Sequence, residues 1–200
     1  AVADAGAIQP LVGLLQSSDP KQQLKAAGAI SGLAAGNPLN QDAVTAAEGI
    51  PSLVSLLTGD YKDVQANAAD ALAELCKDHT QNQTAVAAAG AIVPLIALLH
   101  LVPGGNPALV LQAKEMAAGA LWSISERHFD NQTAVAQAEG IQPLVDLVGT
   151  GSDEAQIQSA GALASLALDN HENELTVSAA IMALLESSSR PGAVPDTAEK

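Results

Sequence analysis

The chain has 200 residues, 48% of them hydrophobic, yet it holds one Trp, one Tyr and one Phe against 41 alanines. A core built from so many small contacts suits closely packed helices better than a sandwich or a barrel, and Pro (10) and Gly (16) are too few for a disordered or collagen-like chain. The net charge of −14, from 22 acids and 8 bases, disfavours nucleic acid and anionic membranes as partners, while a single cysteine, Cys76, excludes an intrachain disulfide.

No apolar run approaches the roughly 20 residues needed to cross a bilayer, so membrane insertion is not expected. No basic start precedes an apolar stretch as in a signal peptide. The compartment expected is therefore the cytoplasm, with the nucleus second.

In chain order, Ala1–Gly6 reads like Ala85–Gly90, so residue 1 falls inside a short helix closed by Gly6. Pro10 suits the first turn of a second helix that runs through Leu14 and Leu15. Turn residues Ser17-Ser18-Asp19-Pro20 lead into an Ala-rich third helix around Ala29 and Ile30. A short helix then starts at Asn40, with the asparagine as its N-cap. Gly49-Ile50-Pro51-Ser52-Leu53-Val54 opens a second helix ending near Leu57. After Thr58-Gly59-Asp60, a long helix runs from Asp63 to Lys77, with Val64, Ala68, Ala71, Leu72 and Leu75 at helical spacing. The same succession repeats from Asn82 and again from Asn131. Val177 to Leu185 restarts it, and Glu186 to Lys200 forms a tail without periodicity. No stretch alternates with period two for long enough to make a strand.

Three markers keep one register. The first Leu of a Leu-Leu or Leu-Val pair falls at Leu14, Leu56, Leu98 and Leu147, spaced 42, 42 and 49. Ala29, Ala71, Ala120 and Ala162 are spaced 42, 49 and 42, as are Asn40, Asn82, Asn131 and Asn173. Seven extra residues therefore lie between Leu99 and Leu111. The repeats span about 1–39, 40–81, 82–130 and 131–172, with a partial repeat over 173–185 and a tail over 186–200. A short helix, a Gly-Ile-x-Pro-Leu-Val-x-Leu-Leu helix and a long Ala-rich helix make up each period. This succession resembles the armadillo repeat; HEAT repeats share the period range but use two helices and lack the Gly-Ile-x-Pro opening. Third helices such as Ala117-Ala118-Gly119-Ala120-Leu121 are closer to those of vacuolar-tethering, plant and protist armadillo proteins than to those of the catenins. The resemblance implies an all-α, right-handed α-solenoid in which each repeat is sealed by its neighbours. Neither end carries an obvious polar capping repeat, so the chain reads as part of a longer array, or as one whose ends a partner or second copy covers.

No GxSxG, Walker loop, HExxH or paired CxxC occurs, so neither catalysis nor a cofactor is expected. Gly104-Gly105-Asn106-Pro107 reads as a surface insertion in the third repeat. His79 and His128 hold equivalent positions in neighbouring repeats, while His171 is one residue out of register. Equivalent positions lie about 10 Å apart along the stack, too far to share a zinc ion, so these histidines are expected to be solvated turn residues and no metal is expected. His100 begins the insertion and has no evident partner. Asn82-Gln83-Thr84 and Asn131-Gln132-Thr133 fit the glycosylation pattern only because the repeat places Asn-Gln there. Cys76 lies on the apolar stripe of a long helix and is expected in the core.

The resemblance also implies that the third helices line a concave surface that binds extended or helical peptides. Importin alpha carries a Trp, and an Asn four residues later, in successive third helices. Here the Trp position reads Ser31, Ala73, Trp122 and Ala164, and the Asn position reads Ala35, Lys77, Glu126 and Leu168. That ladder is absent, which argues against a nuclear transport adaptor. What remains is a floor of small residues: Ala27, Ala69, Ala118 and Ala160, followed by Gly28, Asp70, Gly119 and Gly161. Three mid-helix glycines in register imply a close approach, either of neighbouring helices or of a partner helix. Trp122 would be the one large anchor, surrounded by Lys25, Asn67, Asp70, Lys77 and Glu126. The function expected is a non-catalytic scaffold that binds a protein, with a basic segment or helix matching the negative charge. The alternative is the substrate-recognition array of a larger enzyme such as a U-box ubiquitin ligase. End-to-end self-association is a further expectation.

Overall fold

The computed structural model describes residues 6–102 and 106–189; the start at 1–5 and most of the tail, 190–200, lie outside them. Twelve helices and no strand occur among the described residues. Second helices are α1 (Ile8–Leu15), α4 (Gly49–Leu56), α7 (Ile92–Leu99) and α10 (Ile141–Thr150). Third helices are α2 (Pro20–Ala34), α5 (Lys62–Cys76), α8 (Pro107–Ser125) and α11 (Asp153–Ala167). First helices are α3 (Pro38–Ala46), α6 (Thr80–Ala88) and α9 (Phe129–Gln137), and α12 (His171–Ser189) ends the described chain.

The third helices stack in chain order, α2 on α5, α5 on α8 and α8 on α11, and form the longest seam of the solenoid. Alanine makes that seam close. Ala27, Ala69 and Ala118 occupy one register position and are fully buried. Leu15, Leu57, Leu95, Leu144, Leu72, Leu121 and Leu166 fill the space behind them. The extra residues of the third repeat are taken up partly by α8, which has 19 residues where α2, α5 and α11 have 15. Part of the predicted Gly104-Gly105 loop lies outside the described residues.

Asn40, Asn82 and Asn131 are not the N-caps expected of them. The short helices start two residues earlier, and the caps are Asn37, His79 and His128, whose side chains accept from the backbone N–H of Asn40, Asn82 and Asn131. Asn170 does the same for Asn173. The repeat's marker asparagines instead turn inward. Each is buried and donates its amide to a carbonyl near the end of the preceding third helix: Asn40 to Leu33, Asn82 to Leu75, Asn131 to Ile124 and Asn173 to Leu166, at 2.7–3.0 Å. Asn131 and Asn173 also bond the carbonyls of Gln83 and Gln132 in the preceding first helix, at 3.1 Å. These amides satisfy helix-end acceptors that would otherwise be buried unpaired, at a cost of about 1–3 kcal/mol each.

Two glycine positions serve different needs. Gly90 itself takes a left-handed conformation (φ 84). In the second repeat the left-handed residue is Glu48 (φ 60), and Gly49 follows because a Cβ there would come within 2.6 Å of Val44 Cγ1.

The partial fifth repeat differs from expectation. No glycine interrupts it, so α12 is one continuous helix reaching Ser189 rather than ending at Leu185. Val177 is buried, Ala180 and Leu184 are half-buried, and Leu184 closes over Gly149 of α10.

Candidate functional site

A cleft of about 350 Å³ opens between α5, α8 and α11, lined by residues at the helical spacing the third helices share. From α8 come Glu115, Met116, Gly119, Trp122, Ser123 and Glu126. The i, i+4, i+7 and i+11 positions Glu115, Gly119, Trp122 and Glu126 lie on one face. α5 and its C-terminal turn contribute Asp70, Ala73, Glu74, Lys77 and Asp78, and α11 contributes Glu154 and Gln158.

Trp122 shapes the cleft. A Cβ on Gly161 would lie 2.5–2.6 Å from three ring carbons, so the bare glycine lets the indole rest against the α11 backbone while the ring stays partly exposed. The other register glycines also meet side chains. Gly28 faces Asn67 Nδ2, and Gly119 faces Gln158 Oε1, each 3.0 Å from where a Cβ would stand. The close approach implied by the glycines is thus the approach of neighbouring third helices, and at Gly161 it also sets the anchor.

Charge in the cleft is one-sided. Asp70, Glu74, Asp78, Glu115, Glu126 and Glu154 surround a single cation, Lys77. Lys77 pairs with Glu74 at 3.8 Å while its own side chain stays exposed, a contact that does little to neutralise the rest. Burial, and then the nearby charge of Glu154, raise the pKa of Glu115. The site therefore holds an anion at a disadvantage that an incoming cation would relieve.

Of the residues singled out from sequence, Asp70, Lys77, Trp122 and Glu126 line this one cleft. Asn67 and Lys25 do not. Asn67 donates to the carbonyl of Leu24 at 3.0 Å and so bridges α5 to α2. Lys25 is exposed on α2, which does not line the cleft. Asp70 accepts a 2.5 Å bond from Ser31 Oγ, leaving only part of its carboxylate for a ligand. Sequence reasoning passed over Glu115, Met116, Glu154 and Gln158. Glu115 stands two turns before Trp122 on the same face, a signal the spacing did contain. Glu154 and Gln158 needed the seam's register.

Of the histidines expected to be solvated, His171 is exposed at the start of α12, but His79 and His128 are not free turn residues. His79, with 13% of its side chain exposed, accepts from Asn82 N–H at Nδ1, and its Nε2 reaches Asp42 of the preceding first helix at 3.0 Å. His128 repeats this with Asn131 and with Thr84, at 2.9 Å from Nε2. They cap one helix and tie it to the previous repeat. Cys76 is buried as expected, and burial pushes its thiol pKa up, away from thiolate chemistry.

Helices repeating in threes about every 42 residues, with a cleft across three of the third helices, define an α-solenoid. The Armadillo/beta-catenin-like repeat family matches residues 1–35, 37–77 and 128–168, and the chain belongs to that family. The repeat left unmatched is the one carrying the insertion. No curated protein matches the chain. Among solved structures, an engineered protein is 31% identical with a TM-score of 0.81, covering 95% of this chain and 76% of its own. A designed armadillo repeat protein solved with the peptide (KR)4 is 25% identical with a TM-score of 0.79, covering 95% and 77%. The armadillo repeats only protein of Plasmodium falciparum, at 21% identity and a TM-score of 0.74 over 95% and 88%, shares the fold.

Proposed function

We propose that the chain is a non-catalytic scaffold that binds an extended, Lys/Arg-containing segment of another protein along a concave surface formed by α2, α5, α8 and α11. The observation that carries this reading is the pairing of one half-exposed aromatic, Trp122, with a one-sided ring of carboxylates in a cleft crossing three third helices. A basic side chain laid on the indole gains a cation–π contact of about 0.5–2 kcal/mol. Its charge meets Glu115, Glu126 and Glu154, against the single competing cation Lys77. The designed armadillo protein bound to (KR)4 supports the reading by likeness.

Trp122 is the chain's single tryptophan, so its fluorescence reports on this cleft alone. Titration with an alternating Lys/Arg peptide should change that emission, and binding should weaken as salt screens the carboxylates. Alanine substitutions at Trp122, Asp70, Lys77 and Glu126 separate the contributions. Trp122→Ala and Glu126→Ala should weaken binding, Lys77→Ala should strengthen it, and Asp70→Ala should have the smallest effect. Unchanged affinity in all four variants would sink the proposal.

A further inference from the structure

Stacked third helices meet at one recurring place, and the repeat register pairs Ser31 with Asp70, Ala73 with Gly119 and Trp122 with Gly161. Two of the three places are filled from within. Across the α2–α5 seam Ser31 donates to the Asp70 carboxylate. Across the α8–α11 seam the Trp122 indole covers Gly161, with ring carbons 2.5–2.6 Å from where a Cβ would stand. The α5–α8 seam instead sets two small residues against each other. The three heavy atoms nearest a would-be Cβ on Gly119 all belong to Gln158 of α11, at 3.0–4.0 Å, and none belongs to α5. Ala73 and Gly119 are half-buried, and both line the cleft. The cleft therefore opens at the seam where the repeat has no side chain of its own to close it.

The walls of this seat suit a ring. Met116 and Trp122 stand one turn before and one turn after Gly119 on α8, and both line the cleft with it. A thioether gains from contact with an aromatic ring, and an indole pairs with one offset-stacked or edge to face. The cleft holds about 350 Å³, against roughly 150 Å³ for an apolar cavity that takes up benzene. Carboxylates come from both helices of the seam, Glu74 and Asp78 from α5 with its C-terminal turn, and Glu115 and Glu126 from α8 with its C-cap.

We infer, on the reading of this cleft as a site for a basic segment, that the segment also carries an aromatic side chain flanked by Lys or Arg. The ring seats on Ala73 and Gly119 and does for the α5–α8 seam what Trp122 does for the next one. Two observations select this occupant. The first is the internal precedent: at the equivalent place one repeat later, an aromatic ring against a bare glycine is the packing the fold itself uses. The second is charge. The carboxylates on both helices take up the flanking cations, while the seat itself offers apolar surface from Ala73, Gly119, Met116 and Trp122. A Lys or Arg stem alone reaches the carboxylates without filling the seat. Charge also accepts a Lys/Arg run in more than one register, whereas a single ring in a single seat selects one.

Calorimetry with the 200-residue chain tests this, comparing the peptide Lys-Arg-Phe-Lys-Arg with versions that carry Ala, Leu or Arg in place of Phe. The Phe peptide should bind about tenfold more tightly than the Ala peptide, the worth of one partly buried aromatic side chain. Ala73→Trp gives the α5–α8 seam the Trp–Gly pair that the α8–α11 seam already holds, so the circular dichroism spectrum should not change. This variant should still bind the Ala peptide and should lose the preference for Phe. Ala73→Met, a smaller filler, should lose most of that preference and replaces the Trp variant if the latter does not fold. Equal affinity of the Phe and Ala peptides leaves the basic-segment reading standing and overturns the aromatic seat. So does a Leu or Arg peptide that binds as tightly as the Phe peptide, or a Phe preference that the folded variants retain. If neither the Phe nor the Ala peptide binds, the basic-segment reading falls and the aromatic seat falls with it.

Discussion

Trp122 and Gly161 are a matched pair: the indole of one third helix occupies the space a side chain on the next would take, 2.5 Å from the would-be Cβ. A Gly→Ala change within a helix ordinarily gains about 1 kcal/mol, whereas overpacking costs about 1–3 kcal/mol. Gly161→Ala should therefore be neutral to destabilising by about 2 kcal/mol, with shifted Trp122 emission and weaker peptide binding. In a Trp122→Ala background the same change should stabilise by about 0.5–1 kcal/mol. A double-mutant cycle in urea measures the difference, and additive effects would show that the two residues do not compete for one space.

Much of the fold was legible because the repeat is a chemical pattern as well as a structural one. Leu14, Leu56, Leu98 and Leu147 mark equivalent turns of four helices, and a period of 42 leaves few architectures to consider. Helix starts were less legible. An asparagine before an apolar run reads as an N-cap, but Asn40, Asn82 and Asn131 spend their side chains on carbonyls of the preceding helix, a partner remote in sequence. The cap then falls to a residue three places earlier, and in two repeats it is a histidine, a residue type not expected in that role. In the cleft, Trp122 and Glu126 were visible through one helix's periodicity. Glu154 and Gln158 were not, because they enter from the next repeat and only the seam's register places them there.

Glu115 makes binding pH-dependent. Its folded-state pKa is raised, first by burial and then by Glu154, so folding shifts its titration upward in pH. The contribution of Glu115 to stability is accordingly full below the ordinary carboxylate pKa and is lost as pH rises through the raised value. A bound cation favours the carboxylate, so affinity for a basic peptide should rise over that same interval, with a proton released on binding. Glu115→Gln should flatten this part of the binding profile, weaken binding at neutral pH, and make the free protein less sensitive to pH over the interval. Calorimetry in two buffers of different ionisation enthalpy counts the proton; an unchanged count in Glu115→Gln would assign it elsewhere.

His79 and His128 act as caps, and the repeat supplies its own control. Asn37 and Asn170 fill the same position in the first and last full repeats. His79→Asn and His128→Asn should leave stability nearly unchanged, whereas His79→Ala and His128→Ala should each cost about 1 kcal/mol through the lost cap. The alanine variant at 79 should also free Asp42, now 3.0 Å from Nε2. Urea midpoints measured at constant pH decide the matter. Equal losses for Asn and Ala would mean that the ring's packing, and not its Nδ1 acceptor, is what the position needs.

Arg127 offers a gain in stability. Each third helix is followed by a residue in the left-handed region: Gly36 (φ 61), Asp78 (φ 54), Arg127 (φ 54) and Asp169 (φ 56). Glycine adopts that conformation freely and aspartate tolerates it, but an arginine pays about 1–2 kcal/mol for the contact between its Cβ and the following carbonyl. The Arg127 side chain is exposed, so little packing is lost with it. Arg127→Gly relieves the clash and loses part of that gain to the freer unfolded chain, for a net stabilisation of about 0.5–1 kcal/mol. Arg127→Asp should give less, and Gly36→Arg should destabilise by a similar amount in the opposite sense. Thermal and urea midpoints of the three variants test the ordering Gly above Asp above Arg at this position. An arginine as stable as glycine there would mean that contacts of its side chain offset the backbone strain.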